Sequence, residues 1–148
     1  MKKKLIFCVL QAPLHDIVKI GIRDQILLKK GSLTYEDFAK IKEHPDIGAD
    51  IIAQLIVWDE HQLIIRHHHE RYDGSGYPDK LSKKNIPFLA RILSVADAHD
   101  AMASDRAYRK SLEKNKIIKI ITNCSGSQFD PQVVTTYLEL CRINKIVF

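Results

Sequence analysis

Cysteine is sparse in this sequence: Cys8, Cys124 and Cys141 stand far apart, in no CxxC pattern, among 148 residues. An odd, scattered set excludes a disulfide framework and points to a reducing compartment with buried or free thiols. Long apolar runs are missing too. Nothing approaches the ~20 apolar residues of a membrane span. The opening, MKKKLIFCVLQAP, imitates a signal peptide, but its apolar run from Leu5 to Leu10 is shorter than the ~7–15 residues such a segment needs. The expected setting is the cytoplasm, without membrane insertion, for a chain that is open to being part of something longer. Alternating strand patterns of useful length, internal repeats and interdomain linkers are also absent. The charge of +5, from 23 basic and 18 acidic side chains, favours an anionic partner. No basic stripe interleaved with aromatics accompanies it, which argues against a nucleic-acid polymer.

What is present is an ordinary soluble composition, 45% hydrophobic and 28% charged, in a chain of single-domain size that can bury a real core. The periodicity is helical almost throughout. Thr34 followed by Asp37 predicts a capped start to a short helix with Phe38 and Ile41 on its inner face. Pro45 interrupts it. A second helix follows, with Ile47, Ile51 and Leu55 in one stripe and Ile52 and Ile56 beside it. From Asp59 the pattern resumes, placing Leu63 and Ile64 one turn before His67 and His68. Residues 71–87, with glycines and two prolines, read as loop. FLARILSVADAHDAMA is an apolar helix. Ser111 is placed to cap another, with Ile117, Ile120 and Ile121 facing inward. The last helix opens on Asp130 as N-cap and Pro131 at the first helical position, with Val134, Tyr137, Leu138 and Cys141 as its buried stripe. The expected fold class is all-α.

Most of the histidines lie at element ends, where a side chain reaches a cleft without being packed away. His15 and Asp16 are neighbours after a short apolar stretch, His44 precedes Pro45, and His67, His68 and His69 close a helix before the glycine loop. Adjacent helical residues point about 100° apart. His68 and His69 therefore suit two neighbouring metals, or a frayed helix end, better than one ion held from a regular helix. The pair His15–Asp16 poses the same problem, which an aspartate bridging two metals would solve. Asp97 shares a helix face with Leu93 and Ala101, where a carboxylate is costly unless paired or metal-bound. That residue alone fits a buried ion pair with Lys19 or Arg91 as readily as a metal. His44 alone reads more naturally as a cap, His67 to His69 alone as a solvated helix end, and His61 and His99 look ordinary. As a set, nitrogen and oxygen ligands without thiolate suit two divalent ions such as iron, manganese or zinc. Such a pair can polarise a phosphate ester and supply hydroxide for in-line attack. Arg106 and Arg109, three apart after Asp97 and Asp100, are guanidinium forks at a spacing that can hold phosphate oxygens.

These residues spell a family pattern. HDIVKIGI from His15, HPDIG from His44, HHERYDGSGYP from His68, RILSVADAHDAMASDRAYR from Arg91 and GSQFDP from Gly126 together resemble the HD-GYP domain. The order and spacing agree from about Leu14 to the last helix, leaving residues 1–13 as a short segment outside the clear match and 14–148 as the domain. The resemblance implies an HD-superfamily helical bundle and a bacterial, metal-dependent phosphodiesterase. Its members hydrolyse cyclic di-GMP to linear pGpG or onward to GMP, with iron or manganese in two- or three-metal centres. By the same resemblance His15, His44, His68, His69 and Asp97 match metal ligands, Asp16 the bridging carboxylate, and Lys19 a lysine that helps handle the scissile phosphate. Gly76, Tyr77 and Pro78 are the signature loop beside the substrate, with Asp100, Arg106 and Arg109 on the substrate side. His67 is not matched to a ligand.

Three departures stand out. Val18 replaces a glycine of the family's HDIGK, which restricts the backbone beside His15–Asp16. Pro13 falls where the family continues a helix. Residues 1–13 also carry none of the further metal-binding histidine or glutamate that the family's upstream helices supply, so the bundle is expected to lack those helices. An apolar face left uncovered would favour a homodimer. Two other readings follow from these departures. One is a degenerate module that binds cyclic di-GMP, or a GGDEF-domain partner through the GYP loop, without hydrolysis; the other is a hydrolase of a different cyclic dinucleotide.

Overall fold

The computed structural model describes Ile26, Lys29 and residues 34–55, 59–105 and 110–146. Six α-helices run through them: α1 (Tyr35–Lys42), α2 (His44–Leu55), α3 (Asp59–His67), α4 (Phe88–Ala103), α5 (Lys114–Asn123) and α6 (Pro131–Arg142), with a short 3-10 turn at Lys83–Asn85. The described residues contain no strand, and an isolated bridge joins Ser125 and Phe129. No helix among them is long and apolar enough to cross a membrane. The fold is all-α, as its periodicity predicts.

Local chemistry sets several boundaries where expected. Thr34 and Asp37 form a reciprocal capping box at the start of α1, which satisfies two backbone donors that a helix start otherwise leaves orphaned. Asp37 is also ion-paired with Lys29. At α6, Asp130 accepts from the Gln132 N–H at 2.8 Å and Pro131 occupies the first turn. The start of α5 differs from expectation. Its N-cap is Glu113 and no side chain caps it; the Ser111 N–H instead donates to Asp105 at 2.8 Å.

The helices form a chain of packed neighbours in which α1 meets α2, α2 meets α3 and α3 meets α4, while α4, α5 and α6 pack mutually. Helix α4 therefore joins the two ends of the molecule. The main core lies on its far side. It consists of Val95 from α4, Ile117 and Ile121 from α5, Phe129, and Val133, Val134, Tyr137 and Cys141 from α6, with Leu138 partly buried beside them. Ile117 and Ile121, four residues apart on one helix face, are both wholly buried. Ile120 is only half-buried.

Around α1 and α2 several described members of the expected apolar stripes stay exposed. Phe38 is 44% exposed, and its ring takes the Lys42 ammonium at 4.8 Å. Ile47 and Ile51 are exposed as well, while His44, Pro45, Gly48 and Ala49 are buried among the residues of α2 whose side chains are described. On its inward side α2 packs against α3, and His67 at the end of α3 and His68 just after it are buried.

Candidate metal centre

His44 is the first residue of α2, and His68 and His69 follow the last residue of α3. Because α2 packs against α3, the three imidazoles converge. Each offers a ring nitrogen, and all three nitrogens lie within 4.8 Å of one another. Ring centroids are 5.5 Å apart for His44 and His68, 4.9 Å for His44 and His69, and 4.0 Å for His68 and His69. The helix stops at His67, so His68 and His69 escape the 100° separation that a regular helix would impose.

The orientation of the rings is fixed by backbone. His44 Nδ1 lies 2.6 Å from the Ile41 carbonyl and His68 Nδ1 lies 2.6 Å from the Ile65 carbonyl. A carbonyl only accepts, so each Nδ1 carries the proton and each Nε2 presents its lone pair. This is the arrangement by which metal-binding imidazoles are held in one tautomer. The Nε2 atoms of His69 and His44 are 3.2 Å apart. His44 and His68 are each 1% exposed, whereas His69 is half-buried and stacks on Tyr77 at 5.1 Å between centroids. Three nitrogen donors so arranged fit a borderline divalent ion.

His67, the first of the histidine run, faces elsewhere. Its Nδ1–H donates to the Leu63 carbonyl at 2.8 Å and its Nε2 lies 2.9 Å from an oxygen of Asp79. Asp79 also receives the Arg66 fork through two bonds of 2.9 Å. These two partners, Arg66 first, hold its carboxyl down at about 2. Neither the role of His67 nor that of Asp79 was visible from sequence, because the pairing spans twelve residues and a loop.

The Gly76–Pro78 loop lies directly on this histidine segment. A Cβ at Gly76 would sit 2.3 Å from Arg71 N and 2.6 Å from Glu70 Cα, so only glycine permits the approach. Tyr77 donates its N–H to the His69 carbonyl at 3.4 Å, its ring lies under the Lys42 ammonium at 5.3 Å, and the Tyr77–Pro78 peptide is cis. From below, the loop rests on the GSQFDP turn. Tyr72 and Asp73 donate to the Gln128 and Ser127 carbonyls at 3.1 and 2.8 Å, and Gly126, at φ 81°, closes the turn by donating to Phe129. Asp130, at the end of that turn, is ion-paired with Arg91, whose Nε donates to the Ile86 carbonyl at 3.0 Å. Arg91 thus serves Asp130 rather than standing as the partner of Asp97.

Asp97 is half-buried on α4 and is not one of the three converging ligands. Asp100 is exposed and receives the Ser104 hydroxyl at 3.4 Å. His15, Asp16, Lys19, Arg106 and Arg109 lie outside the described residues. Two cavities of about 650 and 440 Å³ lie against α5–α6 and α4–α6, and neither is lined by the three histidines.

Residues 9–133 match the family model of the HD domain. The chain is 42% identical over 137 residues to a cyclic di-GMP phosphodiesterase of Vibrio cholerae serotype O1, covering 86% of this chain and 27% of that protein. It is 44% identical over 134 residues to a cyclic di-GMP phosphodiesterase of Thermotoga maritima, covering 87% and 36%. The chain belongs to the HD-GYP family. It carries the family's double histidine and GYP loop, and it spans about a third of the length of the curated proteins it matches. A crystal structure of a cyclic GMP-AMP specific phosphodiesterase from V. cholerae shares the fold, with a TM-score of 0.60 at 19% identity over 86% of this chain and 33% of that one. For the HD-GYP family a divalent metal is implied, and the His44–His68–His69 cluster is a donor set that fits one.

Proposed function

We propose that this chain is a metal-dependent phosphodiesterase domain that hydrolyses cyclic di-GMP to linear pGpG or GMP. The observation that carries the reading is the convergence of His44, His68 and His69, two of them with carbonyl-fixed tautomers, beside a loop built around Gly76. Relatives named as cyclic di-GMP phosphodiesterases support the substrate class. His44, His68 and His69 would hold metal together with His15, Asp16 and Asp97, and iron or manganese suits such nitrogen and oxygen donors. When bound, a divalent ion supplies Lewis-acid polarisation of a phosphoryl oxygen and a more acidic water. The chain's own residues bind and orient. Tyr77, stacked on His69, presents a flat surface at the edge of the donor set, and Lys42 places positive charge over it. Lys19, Arg106 and Arg109 are proposed to hold the phosphates.

The test is metal content and turnover together. Protein purified without oxygen and supplied with Mn²⁺ should retain metal and cleave cyclic di-GMP. His68→Ala should lose most of both, with turnover falling by about 10²-fold or more, since a directly ligating imidazole is removed. Unimpaired turnover by His68→Ala would overturn the reading. Tight binding of cyclic di-GMP by the wild-type chain without turnover would instead favour a binding module.

A further inference from the structure

The run His67–His68–His69 serves two purposes, and the first histidine defines a device that the metal reading does not use. Asp79 lies directly after Pro78. Its carboxylate is held from two sides, by the Arg66 fork at 2.9 Å for both bonds and by His67 Nε2 at 2.9 Å. Its backbone N–H donates to Oε1 of Glu70 at 2.7 Å, and Glu70 is 2% exposed. Arg66 continues to a third element, since its remaining Nη1 bonds Asp46, two residues after His44 on α2. One guanidinium therefore joins the helix that carries His44, the helix end that carries His68 and His69, and the loop that carries Tyr77.

We propose that Arg66 and His67 clamp Asp79 to set the position of the GYP loop over the histidine cluster, which makes Arg66, His67 and Asp79 positioning residues for substrate binding. Geometry separates this role from metal binding. His44 and His68 are oriented by their own carbonyl bonds, to Ile41 and Ile65, which do not involve the clamp. The loop depends on it more directly. Tyr77 makes a long N–H bond of 3.4 Å and a ring stack, both to His69, and takes the Lys42 ammonium on its ring. Two residues further along, Asp79 is the point where the loop is charged, bidentate and bonded through its backbone. A planar fork on a carboxylate fixes angle as well as distance, which a lysine cannot reproduce. The network also explains why three consecutive histidines occur: the first turns back to the loop, while the second and third turn to the ligand set.

The inference rests on the phosphodiesterase reading for its substrate, and the experiment keeps the two apart. Asp79→Asn and Arg66→Lys are compared with wild type in the whole chain by hydrogen exchange, Mn²⁺ content and cyclic di-GMP affinity. The clamp predicts faster exchange at the Tyr77 and Asp79 amides and a dissociation constant for cyclic di-GMP raised about tenfold, with Mn²⁺ per chain unchanged. Unchanged loop protection in both variants would overturn it, and so would Mn²⁺ loss in step with nucleotide affinity. A wild-type chain that takes up neither Mn²⁺ nor cyclic di-GMP would sink the phosphodiesterase reading, while the exchange comparison would still decide the clamp. If Asp79→Asn fails to fold, Arg66→Lys, which keeps the charge, decides between the same outcomes.

Discussion

The α4–α6 end of this molecule buries mainly apolar side chains, whereas the α1–α3 end buries imidazoles and a carboxylate as well. In the α4–α6 end, eight residues, mostly isoleucine, valine and aromatic, form one buried cluster. In the α1–α3 end, His44, His67, His68 and Glu70 are buried beside Ile64 and Ile65, while Ile47, Ile51 and Leu63 are 46, 39 and 45% exposed. Burying imidazole and carboxylate is unfavourable unless their polar atoms are satisfied. Here the carbonyls of Ile41, Leu63 and Ile65 accept from one ring nitrogen each of His44, His67 and His68, and the Asp79 amide donates to Oε1 of Glu70, whose Oε2 is buried without a hydrogen bond among the described residues. The α4–α6 cluster is thus held by apolar burial, while in the histidine end backbone carbonyls set the orientation of the buried His44 and His68 rings. A metal that binds only the folded state would return stability to that second end.

The largest expected effect falls on the apolar end. Ile121 is wholly buried in the cluster, and Ile121→Ala should destabilise the protein by about 2–5 kcal/mol through lost burial and the cavity left behind. Chemical denaturation measures this. If the two ends differ as described, the folded fraction of Ile121→Ala still binds Mn²⁺ with the wild-type stoichiometry. Loss of the metal site at conditions where α4–α6 remains folded would mean that stability and ligand geometry are not divided between them.

A smaller and more local effect is expected at Gly76. The added methyl of Gly76→Ala would meet backbone atoms of Glu70 and Arg71, and backbone cannot swing aside as a side-chain tip can. Overpacking of this kind costs about 1–3 kcal/mol when it is absorbed by the fold. Lifting the loop is the cheaper response, so the substitution should weaken cyclic di-GMP binding more than it lowers the denaturation midpoint. Equal damage to a Gly74→Ala control, where the nearest side-chain atom to an added Cβ is Ser82 at 3.2 Å and the backbone is left-handed, would point to general loop strain instead.

Sequence alone made the locally determined parts legible. The Thr34–Asp37 box and the Asp130–Pro131 start are written within four residues, and the structure contains both. The pairing of His68 with His69 was singled out because the GYP loop follows it at fixed spacing, and the structure brings both rings beside His44. Which apolar residues are buried was legible in α5 and α6, where Ile117, Ile121, Val134, Tyr137 and Cys141 are buried as expected, but not at Ile47 and Ile51 of α2. Ile47 and Ile51 have helical periodicity, but periodicity names a face without saying whether anything covers it. His67 was unreadable for a related reason: its partner Asp79 and the Arg91–Asp130 pair are tertiary contacts, separated by 12 and 39 residues. Ser111 is not the cap because α5 begins later, at Lys114 with Glu113 in the N-cap position, while the Ser111 N–H bonds Asp105.

The smallest effect is electrostatic and concerns acid. Asp79 and Asp37 are each lowered from 3.8 to about 2, Asp79 by Arg66 and then His67, Asp37 chiefly by Lys29 and the Thr34 cap. A depressed carboxyl contributes stability that is fully present above its unfolded value and is lost as pH falls through the folded one. In metal-free protein, acidification from 3.8 towards 2 should therefore reduce protection in α1 and in residues 72–80 before it reduces protection in α5 and α6. Asp105 is lowered too, by Lys110 first, but it sits between α4 and α5, outside the apolar cluster. Both lowered pairs are partly open to solvent, so the effect is modest and should shrink in salt of about 0.5 M, where screening is short-ranged. Hydrogen exchange corrected for its intrinsic pH dependence can follow each segment. Simultaneous loss of protection in both ends would show one cooperative unit, with the histidine end no more sensitive to acid than the core beneath it.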